Sequence, residues 1–325
     1  MIITQTPLRI SFAGGGTDFK DYYEKDGGCV VSTAIDKYIY VIVKERFDRK
    51  IRIGYSRTEM VDGIDEIEHE LAREALRKVG IDSGVEIATM ADIPSEGSGL
   101  GSSSSVTVGL LHALYTFKGQ LLPPETLARE ACEIEIDVLG KPIGKQDQYI
   151  AAYGGLRRIA FCADGSVRVS DVPLTGEKRL RFGESLLLFF TGITRKADNI
   201  LATQKQNIGA RLPTLDAIKN QADEIHDALS EGNINRVGRI LDAGWRHKRK
   251  LAEAISNREI DDLYEAALDA GAVGGKIAGA GGGGFLLVYC PPDRQAAVRE
   301  ALAGLKELPF ALERDGTKVI FNARR

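Results

Sequence analysis

A glycine–serine loop set between a strand and a helix restricts the folds open to this chain more than any other stretch. Residues 94–105 read P-S-E-G-S-G-L-G-S-S-S-S, with glycines alternating at Gly97, Gly99 and Gly101 and serines from Ser102 to Ser105. Before it, Val85 to Met90 (V-E-I-A-T-M) alternates like a β-strand. After it, Val106, Leu110, Leu111 and Leu114 recur at helical spacing. Such glycines let the backbone take positive φ and approach a ligand closely. The free N–H groups and dipole of a helix start favour an anion, and serine hydroxyls can bind phosphate oxygens or Mg²⁺. The composition is that of a phosphate cradle. A flexible linker is the competing reading, but linkers rarely run straight into an amphipathic helix.

Two common nucleotide loops are excluded. A Walker A loop needs G-x-x-x-x-G-K-[ST]; around Lys276, Ala270 stands where the first glycine should be and Ile277 where the Ser/Thr should be. The run G-S-G-L-G-S also fails the dinucleotide pattern G-x-G-x-x-G. Two further glycine-rich segments exist, Gly14-Gly15-Gly16-Thr17-Asp18 at the end of a strand over Thr4 to Ala13, and Gly279 to Gly284. Three such segments suggest one site where several backbones approach a polyphosphate and a small substrate.

The remaining pattern mixes strands and helices without strict βαβ repetition, which predicts an α+β fold. Strands are expected over Cys29 to Phe47, Ile51 to Tyr55, Ser185 to Thr191, Phe285 to Tyr289 and Val319 to Asn322, with a hairpin over Leu156 to Val172. Helices are expected over Ile64 to Val79, from Pro123 to near Gly140, over Asp293 to Leu305, and through most of Arg195 to Leu268. The change from strand-rich to helix-rich suggests domains at 1–183 and 184–325.

A net charge of -3 argues against nucleic acid as the main partner. No apolar run reaches the roughly 18 residues of a membrane helix, and the first ten residues lack signal-peptide regions. Four scattered cysteines read as small buried residues in a reducing cytoplasm, and the four histidines show no metal-ligand spacing.

A phosphoryl-transfer site also needs metal ligands, a group to orient or deprotonate the attacking hydroxyl, and cations. Asp147 lies in the polar loop G-K-Q-D-Q-Y, and Glu135 lies near the end of the preceding helix. Taken alone, Glu135 suits a solvated helix face better, Asp147 suits a helix N-cap equally well, and Asp18 suits a turn. Arg9 falls inside an apolar strand, where a charge must be paired or functional. Trp245 reads as a packing residue, and the following R-H-K-R-K as a solvated face.

Together these motifs resemble the GHMP kinases, the galactokinase, homoserine kinase, mevalonate kinase and phosphomevalonate kinase superfamily. P-L-R-I-S-F-A-G-G-G-T-D resembles the family's first motif, the 94–105 loop its P-x-x-x-G-L-G-S-S-A pattern, and K-I-A-G-A-G-G-G-G-F its third. The resemblance implies ATP, Mg²⁺, a ribosomal-protein-S5-domain-2-like N-terminal domain and a ferredoxin-like C-terminal domain. By motif position, Gly97, Ser98, Gly99, Leu100, Gly101 and Ser102, with Ser104, would wrap the ATP phosphates. Ser103 and Glu135 would hold Mg²⁺. Asp147 falls on the catalytic aspartate and Arg9 on the cation beside it. Gly15, Gly16, Thr17, Asp18, Gly281 and Gly282 would face the substrate.

The first motif has G-G-G-T-D where galactokinases have G-E-H-T-D, so galactose is a poor match. F-A-G-G-G-T-D with G-G-C-V-V-S-T-A-I-D-K-Y-I-Y-V and F-F-T-G-I-T-R-K-A resembles the D-glycero-D-manno-heptose 7-phosphate kinases. That branch implies phosphorylation of the anomeric C1 hydroxyl to a 1,7-bisphosphate, for GDP-heptose and surface polysaccharide. A phosphorylated substrate needs its own cation; Arg195 and Lys248, with Lys196, Arg249 and Lys276, are the candidates. A kinase of an unphosphorylated sugar and a non-catalytic ATP- and sugar-binding sensor are the alternatives.

Overall fold

The computed structural model describes residues 1–93, 97–194 and 197–323. An eight-stranded sheet contains β1 (Ile2–Ala13), β2 (Gly28–Glu45), β3 (Ile51–Gly54), β4 (Thr58–Val61), β5 (Val85–Ala91), β6 (Leu156–Phe161) and β7 (Val167–Asp171). A four-stranded antiparallel sheet contains β8 (Leu186–Phe190), β9 (Gly274–Ile277), β10 (Phe285–Tyr289) and β11 (Lys306–Glu307), in the order β11-β8-β10-β9. The last strand, β12 (Lys318–Asn322), leaves the second sheet and pairs with β1. The helices are α1 (Lys20–Asp26), α2 (Glu70–Val79), α3 (Ser102–Phe117), α4 (Pro124–Cys132), α5 (Gln146–Tyr153) and α6 (Gly176–Glu184). They continue as α7 (Ala197–Gln206), α8 (Leu212–Ser230), α9 (Ile234–Lys248), α10 (Arg258–Asp269) and α11 (Gln295–Ala301). This is the mixed α+β content expected, and none of the described helices is long and apolar enough to cross a membrane.

β2 organises the first sheet. Its Val, Ile and Tyr residues suit a pleated, buried surface, and the whole run forms one strand. Residues 28–33 pair with β6, residues 39–45 pair with β5, and β1 lies along the other edge. On one face α3 sits close to the strands: Thr4 Oγ1 donates to the Gly109 carbonyl at 3.0 Å. A Cβ at Gly109 would stand 2.8 Å from Thr6 Oγ1 and 3.1 Å from Val41 Cγ2. α8 also packs against β1 and β2, so its Ala222, Ile225 and Leu229 share one apolar core with Val30, Val41 and Leu111. A second core gathers Trp245, Ile255, Ile260, Tyr264 and Leu286 around the small sheet, which makes Trp245 the packing residue expected.

Several boundaries differ from the sequence pattern. The helix expected over Ile64 to Val79 begins only at Glu70, because the Glu59 carboxylate accepts from the backbone N–H groups of Glu68 and His69 at 2.6 and 3.1 Å and holds the chain extended there. The helix expected over Asp293 to Leu305 shortens to α11. The helical stretch before Leu268 divides into α7, α8, α9 and α10, with α9 ending at Lys248, and α6, β4, β9 and β11 were not legible in the periodicity. Three of the four free cysteines are buried.

The close seat of α3 gives a direct expectation. Gly109→Val overpacks the interface and lowers unfolding free energy by about 1–3 kcal/mol. Urea denaturation should show the midpoint falling with an unchanged slope.

Candidate active site

The second and third glycine segments lie backbone to backbone. A Cβ at Gly99 would come within 2.5 Å of the Ala278 carbonyl oxygen, one at Gly279 within 2.6 Å of Gly99 Cα, and one at Gly284 within 2.6 Å of the Gly97 oxygen. Gly97, Gly99 and Gly101 hold φ of 70°, 73° and 77°, a region strained for residues with a Cβ. That conformation accounts for the alternating pattern. Leu100, between them, is fully buried and anchors the loop. Gly101 is the N-cap of α3, whose first-turn N–H groups have no intrahelical acceptor.

The serine run divides its work. Ser98 and Ser102 share a hydrogen bond at 3.1 Å, and Ser105 donates to the Pro7 carbonyl at 2.9 Å. Ser104 is buried, whereas Ser103 is exposed, and its hydroxyl donates to Glu135 Oε1 at 2.6 Å. Glu135 is not on a solvated face. It is 0% exposed and sits in a π-turn over Glu133–Val138 that continues α4, with Leu139 N–H bonded to the Ile134 carbonyl at 3.0 Å. Such turns displace one residue and re-aim side chains. Gln148 Nε2 donates to the other carboxylate oxygen at 2.7 Å. Burial pushes the Glu135 carboxyl up, against hydrogen bonds from Ser103, Gln148 and Ser104. No ion pair to it is formed among the described residues.

Arg9, 5% exposed, joins three parts of the chain. Its Nε and Nη2 donate to the two oxygens of Asp147, each at 2.7 Å. Its Nη1 donates to the Gly99 carbonyl, and its backbone N–H to that of Leu100 at 3.0 Å. Asp147 lies in the first turn of α5, where Lys145 rather than Asp147 occupies the cap position. Asp18 secures the start of that helix: Oδ2 accepts from Gln146 N and Nε2 at 3.2 and 3.0 Å, and Oδ1 from Gly16 N at 2.9 Å. Its carboxyl is raised by burial, opposed by the Gly16 N–H and reinforced by the Asp147 charge.

These groups open on a cleft of about 70 Å³ lined by Arg9, Ser11, Gly15, Gly16, Asp18, Asp147, Lys248, Lys276 and residues of α7. Lys248 is 8% exposed, a departure from the solvated face expected of R-H-K-R-K. It lies at the end of α9, and its Nζ donates to the Gly279 carbonyl. Lys276 Nζ donates to the carbonyls of Ser11 and Phe12 at 2.8 and 3.3 Å. Neither lysine has a carboxylate in ion-pair range among the described residues. Burial, then the Arg9 charge, pushes Lys248 down to about 8 despite Asp18 and Asp147. Burial and the neighbouring cations push Lys276 well below its ordinary value.

Other expected positions lie elsewhere. The Thr17 hydroxyl is consumed inside its own turn, bonded to the Gly14 and Cys29 carbonyls at 2.8 and 3.1 Å. Gly281 and Gly282 back onto Ile255, and Gly279 and Ala280 line the cleft instead. Arg249 pairs with Asp261 at 2.8 Å. Arg195 and Lys196 lie outside the described residues. Sequence reasoning passed over Ser11, Gln146, Gln148 and Gln204. The glutamines flanking Asp147 were visible in the motif, but nothing local marks Gln204.

Residues 66–155 match the GHMP kinases N terminal domain, and residues 225–306 the GHMP kinases C terminal domain. The chain is 33% identical over 318 residues to a D-glycero-alpha-D-manno-heptose 7-phosphate kinase of Campylobacter jejuni, covering 93% of each chain. The chain belongs to the GHMP kinase family. Among solved structures, it superposes at a TM-score of 0.84 and 27% identity on a D-glycero-D-manno-heptose 1-phosphate kinase of Bacteroides thetaiotaomicron, over 100% of both chains. A putative sugar kinase of Campylobacter jejuni gives a TM-score of 0.78 at 30% identity, over 98% of this chain and 97% of that one. The protein is thus an ATP-dependent phosphotransferase with an alcohol acceptor, a sugar kinase of the two-domain GHMP type.

Lys248 gives this kinase a pH signature. An unfolded lysine keeps its proton up to its ordinary value of 10.5, whereas folded Lys248 releases it near 8. Between those values the unfolded chain binds more protons, so stability rises with pH; below 8 the cost of the buried charge is complete. Lys248→Met should therefore be more stable than wild type at pH 7, by on the order of 3 kcal/mol. Urea unfolding from pH 7 to 10.5 should show that gap closing as pH rises.

Proposed function

We propose that this kinase transfers the γ-phosphoryl group of ATP to the anomeric C1 hydroxyl of D-glycero-D-manno-heptose 7-phosphate. The product would be the 1,7-bisphosphate, a precursor for GDP-heptose and surface polysaccharide. The observation that carries the reading is the Arg9–Asp147 pair between the glycine loop and the cleft of Lys248 and Lys276. We assign ATP to the first part, residues 1–183, with Gly97 to Ser102 and Ser104 around its phosphates. The acceptor lies across the pair, towards 184–325, with its phosphate on the two lysines, whose lack of carboxylate partners among the described residues favours an anion there. The identity to the heptose 7-phosphate kinase supports the choice of sugar.

In this mechanism the Asp147 carboxylate accepts the proton of the attacking hydroxyl. The oxygen bonds to the γ-phosphorus as the bond to the bridging oxygen breaks, and ADP departs. Arg9 holds both Asp147 oxygens, fixing the carboxylate's orientation, and its third donor positions the loop through Gly99. Backbone N–H groups at the start of α3 stabilise charge on the phosphates. Ser103 and Glu135 fit Mg²⁺: both offer oxygen donors, and a fully buried carboxylate with no ion pair among the described residues suits a cation. Bound there, Mg²⁺ would neutralise charge on the β- and γ-phosphates. Gln148 holds the Glu135 carboxylate in place through its amide.

Asp147→Asn should lower kcat by about 10²–10⁴, with ATP binding intact by titration; a near-normal rate would remove the proton-acceptor role. The name of the Bacteroides relative, a heptose 1-phosphate kinase, favours a second reading in which the phosphorylated position differs. Phosphorus–proton correlated NMR of the product made from heptose 7-phosphate distinguishes them. The proposal expects a new phosphorus signal coupled to the anomeric proton. An enzyme that ignores heptose 7-phosphate but turns over heptose 1-phosphate supports the second reading.

A further inference from the structure

The turn at Gly15 and Gly16 lies beneath two amide side chains from other elements. A Cβ on Gly16 would come within 2.4 Å of Gln204 Nε2, and one on Gly15 within 3.6 Å of Gln146 Nε2. The missing side chains leave the space these glutamines use. Gln204, on α7, is 3% exposed and lines the cleft, yet its side chain makes no hydrogen bond among the described residues. Gln146 donates to Asp18 through Nε2, while its Oε1 is buried without a partner. Ser11 follows Arg9 by two residues on β1 and so shares its face. It lines the same cleft, and its Oγ is also buried and unpaired.

Unpaired buried polar groups are destabilising and uncommon in folded proteins. Two of them, Ser11 Oγ and Gln146 Oε1, line one small cleft beside a Gln204 amide that makes no hydrogen bond among the described residues, and together they call for partners brought by a ligand. The neighbouring Leu201, also on α7, shows that this wall accepts an apolar side chain. The groups are neutral, and an amide offers both donors and an acceptor. That chemistry matches the hydroxyls of a polyol, while the anion of the acceptor goes to Lys248 and Lys276.

We propose that Gln204, with Gln146 and Ser11, forms the wall that reads the acceptor's hydroxyl groups, and that Gln204 sets which hydroxyl configuration is accepted. This rests on the proposed function, in that the acceptor is a phosphorylated sugar. Gln204 acts on specificity: it binds a hydroxyl that does not react. α7 is then the specificity element, contributed by residues after 183, over a cleft whose floor comes from β1 and α5.

The test uses heptose 7-phosphate and its monodeoxy analogues as acceptors, with wild type, Gln204→Met and Gln204→Asn. Gln204→Met should raise the acceptor KM about tenfold, the loss of one well-made hydrogen bond, with ATP KM held. Gln204→Asn, which keeps the amide but shortens it, should fall between. One deoxy analogue should be penalised about tenfold in wild type and not at all in Gln204→Met. The same penalty in both for every analogue overturns the proposal. So does an acceptor KM that rises together with ATP KM and a lowered melting temperature, because that assigns Gln204 to packing. If wild type turns over none of these sugars, the proposed function itself falls; turnover with an indifferent Gln204 removes this inference alone.

Discussion

A single buried guanidinium ties the site together. Arg9 reaches the glycine loop through Gly99 and Leu100 and grips both oxygens of Asp147 on α5. Three segments spread over 138 residues of the chain are thereby held in one arrangement. Burying one partner of a charge pair gains little stability, since desolvation offsets much of the Coulomb attraction. Its value here is geometric. A planar fork on a carboxylate fixes direction as well as distance, and the strand that carries Arg9 is itself paired with β2 along its length and with β12 at Ile2 to Gln5. The loop, the carboxylate and the sheet cannot shift independently.

Around that pair the protein leaves charges and dipoles unmatched. Among the described residues, Glu135, Lys248 and Lys276 are each buried without an ion-pair partner. Ser11 Oγ and one oxygen of Gln146 are buried without hydrogen-bond partners, and the cleft-lining Gln204 amide makes no hydrogen bond among the described residues. Each is unfavourable in the free protein. They fall in separate zones: acid beside Ser103, bases beyond Asp147, and neutral groups over the Gly15–Gly16 turn. Under the proposed function the zones correspond to metal, acceptor phosphate and acceptor hydroxyls, so binding would satisfy groups that folding leaves unsatisfied.

Legibility in the sequence followed the range of the physics involved. The strand–loop–helix around Gly97 to Gly101 was readable because local φ requirements and helical spacing leave a direct mark. β2 was readable for the same reason, through its run of Val, Ile and Tyr. The Ile64–Glu70 boundary was not, because a carboxylate from Glu59 decides it. Glu135 shows the limit most clearly. Its residue type and spacing suit a solvated helix, and only the π-turn and the cover of α3 and α5 turn it inward. Lys248 likewise sits in a strongly basic run that suggests solvent, while Gly279 and the sheet behind it enclose the side chain. Gln204 carries no local signal, since its place over Gly16 depends on how the later helices return to the first turn.

The return of β12 to β1 bears on how the protein is made. Residues 318–322 complete the outer edge of a strand that is synthesised long before them. Until they emerge, Ile2 to Gln5 present an open row of backbone donors and acceptors, the kind of edge that recruits other chains. The segment just before β12 also crosses the first sheet, with Asp36 N–H bonded to the Ala311 carbonyl and Thr317 N–H to that of Ala151. The first sheet therefore cannot finish folding as an early, independent unit. Its closure waits for the synthesis of β12, a contact of very long sequence separation that should slow folding and leave the β1 edge open to misassociation until then.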